Sequence, residues 1–338
     1  NVDNNALQFA EPLKAASSGG FGCFQSSAAG GGGACGGAAA VAVYGTPAII
    51  EDVNITDAKT GHIVVIAGYN GRVAAYDGTA LNAKIWQYPL EGYTAPVVGG
   101  IAVRDKMLYF ADTEGIVYAL EGTRGIEQWT FDAGDEIWAT PVIEDNTLYI
   151  TSFNQKIYAV NIEDGTLKWE FDTMSSNVSS PILHDGILYA GSLDRKLYAI
   201  NAETGEMEWE FKADNWFWAK PVVYDGTIFA PCINGKIYAL DASSGDEKAT
   251  YDLKGQISSS PVIVGDDLIT ATEDGNLFSV ALDLNNQTQN LIQTIPEGVN
   301  SPLAAIGDIV YINGPDSTIY AYDIVQGSKL VPVSIKAD

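Results

Sequence analysis

The chain holds two histidines, His62 and His184, and three cysteines, Cys23, Cys35 and Cys232, so the side chains that most often serve as general bases, nucleophiles and metal ligands are scarce in 338 residues. A zinc centre needs three or four such ligands; there is no third histidine, and the cysteines form neither a C-x-x-C pair nor a C-x-x-C-H haem site. No serine stands in a G-x-S-x-G elbow, the usual signal for a hydrolase nucleophile. The acidic stretches around Asp164 and Asp274 carry oxygens that suit calcium, but they lack D-x-D-x-D-G ligand spacing and read as hairpin turns. No catalytic, cofactor-binding or metal residue is therefore expected, and weak calcium binding is the ion chemistry that the acidic composition leaves open. Cys23 and Cys35 lie in a glycine-rich stretch able to close a small disulfide loop, whereas Cys232 sits in an apolar run where a buried free thiol is the commoner outcome.

The formal charge is −25, from 43 acidic and 18 basic residues. Such a surface repels phosphates, so no nucleic acid is expected as a partner. The acidity is spread without a run of five or more like charges and reads as a solvated surface. No apolar run reaches the roughly eighteen residues of a bilayer span, and no charged segment followed by an apolar core opens the chain at Asn1. The expectation is a mature, soluble chain that does not span a membrane, and the odd cysteine count points weakly to a compartment outside the cytoplasm.

The elements that would position any site come from a repeat. Pro47, Pro96, Pro141, Pro181, Pro221, Pro261 and Pro302 each stand before an apolar run, at spacings of 49, 45, 40, 40, 40 and 41 residues. A period of about forty marks a repeat architecture. Within one unit, SSPILH, ILYAGS, KLYAIN and EMEWEF are separated by HDG, LDR and AETG, the punctuation of four antiparallel strands joined by tight turns. A four-stranded sheet with two apolar faces cannot bury itself alone, but stacking seven of them radially does so without long open edges. The fold class read from this pattern is all-β: a seven-bladed β-propeller over 46–338, preceded by a Gly/Ala-rich arm over 1–45.

A tryptophan recurs in the outer strand. Ala119 precedes Trp129, Ala159 precedes Trp169 and Ala199 precedes Trp209 by ten residues, with Gly125, Gly165 and Gly205 turning the chain between them, and Ala75 precedes Trp86 by eleven. Rings at one fixed position of successive blades are expected to pack, largely buried, against the neighbouring blade. Blades five to seven lose the ring, with Ala249 and Val331 in its place in blades five and seven.

The pattern S-x-P-V…L-Y…D-G-x-h-Y-A-h-D/N-x-x-T-G-x-x-x-W (h, an apolar residue) resembles the PQQ-like repeat of quinoprotein alcohol dehydrogenases and of the BamB-like scaffold lipoproteins of outer-membrane assembly, over roughly 46–338. The resemblance implies the propeller and two different functions. The quinoproteins hold their quinone beside adjacent cysteines and a calcium bound by carboxylate and amide groups, whereas this chain has no Cys-Cys and only Cys232 in its propeller. The BamB-like group is closer in length and in lacking catalytic residues, although its members usually begin at a lipidated cysteine and have eight blades, against seven repeats here.

One non-catalytic constellation stands out. Three residues before the prolines lie Tyr44, Tyr93, Trp138, Val178, Trp218, Ser258 and Val299, with Trp216 nearby. Equivalent positions in a propeller share one face, so these aromatics form either packing between inner strands or a binding rim at the channel mouth. The arm at 1–45 cannot support a core of its own, and ordering its glycines takes an external constraint. A Cys23–Cys35 disulfide, the propeller's own surface and a neighbouring copy of the chain are three ways to supply it. The leading expectation is a non-enzymatic, extracytoplasmic propeller that binds protein partners as a scaffold or structural subunit, in one form self-assembling through the arm into a cell-surface or extracellular polymer. The alternatives are a quinone-dependent dehydrogenase and a propeller that binds an apolar ligand or a partner peptide.

Overall fold

The computed structural model of the chain describes residues 43–338 apart from 57–58, 296–297, 300, 314–317, 326–327, 330–332 and 335–338. The arm's cysteines Cys23 and Cys35, and any closure of the ring by its ALQF segment, lie outside the described residues. Seven antiparallel sheets follow one another in chain order, each a meander with strands in sequence order. No helix occurs among the described residues. Blade three is typical, with strands Val142–Glu144, Thr147–Thr151, Lys156–Asn161 and Leu167–Asp172. The short first strands of neighbouring blades touch one another, which puts them innermost, around a central channel.

Burial follows from this stacking. Thr147–Thr151 is buried at every position and Lys156–Asn161 at its four central ones, because each sheet is covered on both faces by its neighbours. The outer strand Met207–Lys212 instead alternates exposed and half-buried residues. Its glutamates and lysine face water along the free edge and discourage edge-to-edge pairing with another chain. First hairpins turn on two residues, as at Asp185 and Gly186, with φ of 51° and 75°, the left-handed pair that a two-residue hairpin requires.

The four tryptophans make one contact repeated down the ring. Nε1–H of Trp86 donates to the Gly122 carbonyl (2.9 Å), Trp129 to Ile162 (2.9 Å), Trp169 to Ala202 (3.0 Å) and Trp209 to Ala242 (3.0 Å). Each carbonyl lies in the last hairpin of the following blade. The glycine ending that hairpin lies flat against the ring: a Cβ on Gly165 would come within 2.7 Å of Trp129, and Gly165 has φ of +74°. Glycine is thus required there twice, for backbone and for space. Trp86 and Trp129 are buried, while Trp169 and Trp209 are half-buried; Trp209 shows an edge to a groove between blades four and five. At the next junction Ala249 replaces the ring, and Tyr251, two residues on, reaches across to donate its hydroxyl to the Ala281 carbonyl at 3.0 Å.

Two of the seven proline anchors are out of register. Ala102, Val142 and Ala304 occupy the same position, since their partners Tyr109, Tyr149 and Tyr311 in turn pair with Ala119, Ala159 and Ala321. The residue before the strand is then Ile101 in blade two and Leu303 in blade seven, so Pro96 lies five residues early and Pro302 one. Proline is compatible with that site because no ladder hydrogen bond from its nitrogen is needed there, but nothing demands it. The outer strand of blade seven is in two pieces, Ser328–Lys329 and Val333–Ser334, both paired with Thr318–Asp323. His62 lies in the second strand of blade one and His184 ends the first strand of blade four.

Candidate functional site at the channel mouth

The connections from each outer strand to the next inner strand share one end of the propeller with the turns between second and third strands. Backbone hydrogen bonds tie the two sets together: Phe153 N–H to Glu136 O (2.9 Å), Leu193 to Ser176 (3.0 Å) and Ile233 to Trp216 (2.9 Å). In the observed register the rim position is filled by Tyr44, Val98, Trp138, Val178, Trp218 and Ser258. Val299 drops into the core of the last blades at 0 % exposure. Tyr93, expected on the rim, stands five residues ahead of Val98 in the connection between blades one and two. It is exposed on the same face, with the Arg72 guanidinium 4.8 Å from its ring centre.

The structure brings Trp138 and Trp218 together. Their ring centroids are 6.4 Å apart at 74°, although one belongs to blade three and the other to blade five. Val178, at the equivalent position of the intervening blade, is buried. Trp138 donates Nε1–H to Glu136 Oε2 at 2.7 Å and lies 4.8 Å from the Phe153 ring. Trp216 is exposed outboard of Trp218, and Tyr44 packs edge-on against Tyr69 at 5.4 Å. Sequence reasoning missed Phe153 and Tyr69. Both occupy the same position of the second turn, where a bulky ring at a hairpin tip is out of keeping with turn chemistry, and that was the available signal.

Below the rim the inner strands are linked by hydroxyls. Gly100 N–H donates to Thr140 Oγ1 (2.7 Å), Thr140 N–H to Ser180 Oγ (2.9 Å) and Lys220 N–H to Ser260 Oγ (3.1 Å), each step advancing one blade. Lys220 is exposed, and partial desolvation of its ammonium lowers its pKa from the usual lysine range.

A groove of about 550 Å³ lies at the opposite end between blades four and five, lined among others by His184, Asp185, Trp209, Asp225, Asp241 and Lys248. Lys248 pairs there with Asp241 at 2.9 Å, and His184 faces Asp185 at 3.4 Å. Hydrogen bonds from Ser243, then from Lys248, hold the Asp241 carboxyl well below the usual range. Among the described residues no three His, Cys, Asp or Glu side chains are grouped to hold a metal ion. Cys232 is fully buried in blade five, its thiol pushed up by burial. No described helix is long and apolar enough to cross a membrane.

The sequence matches, in overlapping segments at 48–140, 69–187 and 136–330, the model of a family described as outer membrane protein assembly factor BamB. No curated protein matches the chain. Among solved structures it is similar to BamB from Moraxella catarrhalis, with a TM-score of 0.69 at 18% identity over 88% of this chain and 89% of that one. It is also similar to the computationally designed Ika8 protein, with a TM-score of 0.74 at 15% identity over 87% of each chain. At such identities the likeness carries the fold alone.

Proposed function

The chain belongs to the BamB family of PQQ-like repeat propellers, and from that premise we propose that it is a non-enzymatic protein-interaction propeller of the cell envelope or exterior. It works without a bound cofactor, and it receives a protein partner on the face that carries Trp138 and Trp218. The observation that carries this reading is the concentration of aromatic rings there. Trp216, Tyr44, Tyr69 and Tyr93 are exposed, and Trp138, Trp218 and Phe153 are half-buried. Large rings that remain accessible at one end of a stacked fold are the groups that anchor protein interfaces. A second part of the proposal is association of copies of the chain through residues 1–45, whose composition suits a tail laid across another chain.

Photo-cross-linking tests the interaction face. A photoreactive residue at Trp216 and one at Asp225, on the opposite face, are compared in producing cells. Defined cross-linked bands from position 216 and not from 225 are expected, and equal yields at both positions overturn the assignment. The absence of catalysis is tested separately: protein incubated with pyrroloquinoline quinone and calcium, then desalted, is expected to retain no quinone absorbance and to reduce no dye with added alcohols. Retention of the quinone revives the dehydrogenase reading.

A further inference from the structure

We propose that blades seven and one leave a seat between them that receives residues 1–42, the arm, against two open apolar sheet faces. The inference deepens the association proposed for residues 1–45 by naming the surface that takes them, and it rests on that reading only for which copy donates the arm.

The seat shows as a break in an otherwise repeated burial pattern. Six apolar clusters join successive blades from one to seven, and among the described residues none joins blade seven to blade one. In blade three the face toward blade two is closed: Leu148, Ile150, Tyr158 and Val160 are all buried. The strand pairings put Val64, Ile66, Ala74 and Tyr76 at the same four positions of blade one, and all four are half-buried. Ile49, on the first strand of that face, is 57% exposed. The third strand of blade one accordingly buries every second residue, where that of blade three buries four in a row. Blade seven shows the complementary defect. On its far face Ile309, Tyr311 and Ile319 are half-buried and Ile306 is 72% exposed, although the blade-three counterparts Thr147, Tyr149 and Ile157 are buried. Its other face, with Val310, Ile312, Tyr320 and Tyr322, is packed on blade six. A sheet whose buried side chains alternate is covered on one face only, so each of these two faces lacks a described sheet against it.

Position and composition select the occupant. Every later blade is entered from the blade before it in chain order, and the place before blade one is the seat, where the arm joins the propeller. Residues 15–50 carry no charged side chain in a chain that is 18% charged, so this stretch enters an apolar slot without desolvating an ion, whereas a charged partner would leave its charges unpaired against Ile49, Ile306 and Tyr311. Glycine and alanine let its backbone approach both faces closely. Two strands of about five or six residues and a turn are enough to cover the pair of faces, well within the length of the arm. Association follows when a neighbour's arm enters the seat in place of the chain's own, an exchange of identical elements between copies.

The test uses the full chain with a photoreactive residue at Ile49, at Ile306 or, as a control, at Met174, which is exposed in the connection after blade three; cross-linked peptides are identified by mass spectrometry. Positions 49 and 306 are expected to capture residues 1–42, and position 174 to capture none of them. Capture of blade one from position 306 means that the ring closes on itself and overturns the inference, as does capture of the arm from position 174 at the same yield. In a second measurement, Ile49→Asp combined with Ile306→Asp puts charges in the seat and should speed chymotrypsin cleavage at Phe21 and Phe24 about tenfold or more as the arm is released; an unchanged rate overturns the inference. Heavy-isotope-labelled and unlabelled copies are then unfolded, refolded together and cross-linked. Pairs that mix isotopes show a neighbour's arm in the seat. Pairs confined to one isotope class support the seat and overturn association through the arm, and neither result depends on cross-linking at Trp216.

Discussion

Replacing Gly165 by alanine tests how the blades are clasped, because its cost should depend on a tryptophan in the preceding blade. In the native chain an alanine at 165 faces two penalties. Its φ of +74° lies in the left-handed region, which costs a non-glycine residue about 1 kcal/mol. Its Cβ would also stand 2.7 Å from the Trp129 ring, and overpacking of this kind costs about 1–3 kcal/mol. The single substitution should therefore destabilise by about 2–4 kcal/mol. Trp129→Ala removes a buried ring and its hydrogen bond to Ile162 O, for about 3–5 kcal/mol; the carbonyl keeps a longer contact, 3.4 Å, from the Tyr109 hydroxyl. In the Trp129→Ala background the Cβ clash disappears and the backbone penalty alone remains, so Gly165→Ala there should cost only about 1 kcal/mol. The four proteins are unfolded in urea at equilibrium, followed by circular dichroism and tyrosine fluorescence, with slopes compared so that midpoints convert to free energies. Costs that add within about 0.5 kcal/mol would refute the argument that the glycine is there for the ring.

Deleting residues 1–40 should leave a folded propeller that no longer associates, as read by light scattering; identical monomers with and without the arm refute its role in assembly. Counting thiols with a disulfide reagent should find Cys232 unreactive in the native protein, since it is buried with a raised pKa; if Cys23 and Cys35 are paired, the count without reductant is none in the native protein and one per chain in denaturant, and three reactive thiols in denaturant exclude the pair. Asp241→Asn should lower stability near neutral pH by less than about 1 kcal/mol, because the pair with Lys248 is partly exposed. The folded carboxyl lies below its ordinary 3.8, so this contribution is present above about pH 4 and is lost as the pH falls toward the folded value. Thermal melts of the two proteins should converge in acid, and a gap that widens in acid contradicts the ion pair.

The architecture was legible in the amino-acid order because a blade is too small to bury both its faces, and the remedy, repetition, leaves a period that survives divergence. Trp129, Trp169 and Trp209 could be assigned to blade packing for the same reason: the glycine they rest on recurs in the same frame. Register was less legible where a marker was permitted and not required. Pro96 and Pro302 resemble the other prolines, yet the strand pairings put Ile101 and Leu303 in their place, and Tyr93 moved off the rim with that shift. The site was least legible. Trp138 and Trp218 are eighty residues apart with a blade between them, and their contact is set by the small radius of the inner strands, which no local pattern encodes.

Each tryptophan reaches forward to the blade that follows it, and the series stops after blade four: Ala249 stands in blade five, blade six has no tryptophan, and Val331 stands in blade seven. The ring is thus a belt with a buckle. Blades one to five are fastened in one direction, and the remaining junctions close by other contacts, such as the Tyr251 hydroxyl on Ala281. A wheel built this way does not loosen evenly when heated or pulled; it parts first along the unfastened arc, which already contains both chain ends of the propeller. New termini made by circular permutation, or an inserted domain, are best carried between blades five and seven, and cutting between blades one and five severs the part that holds its shape.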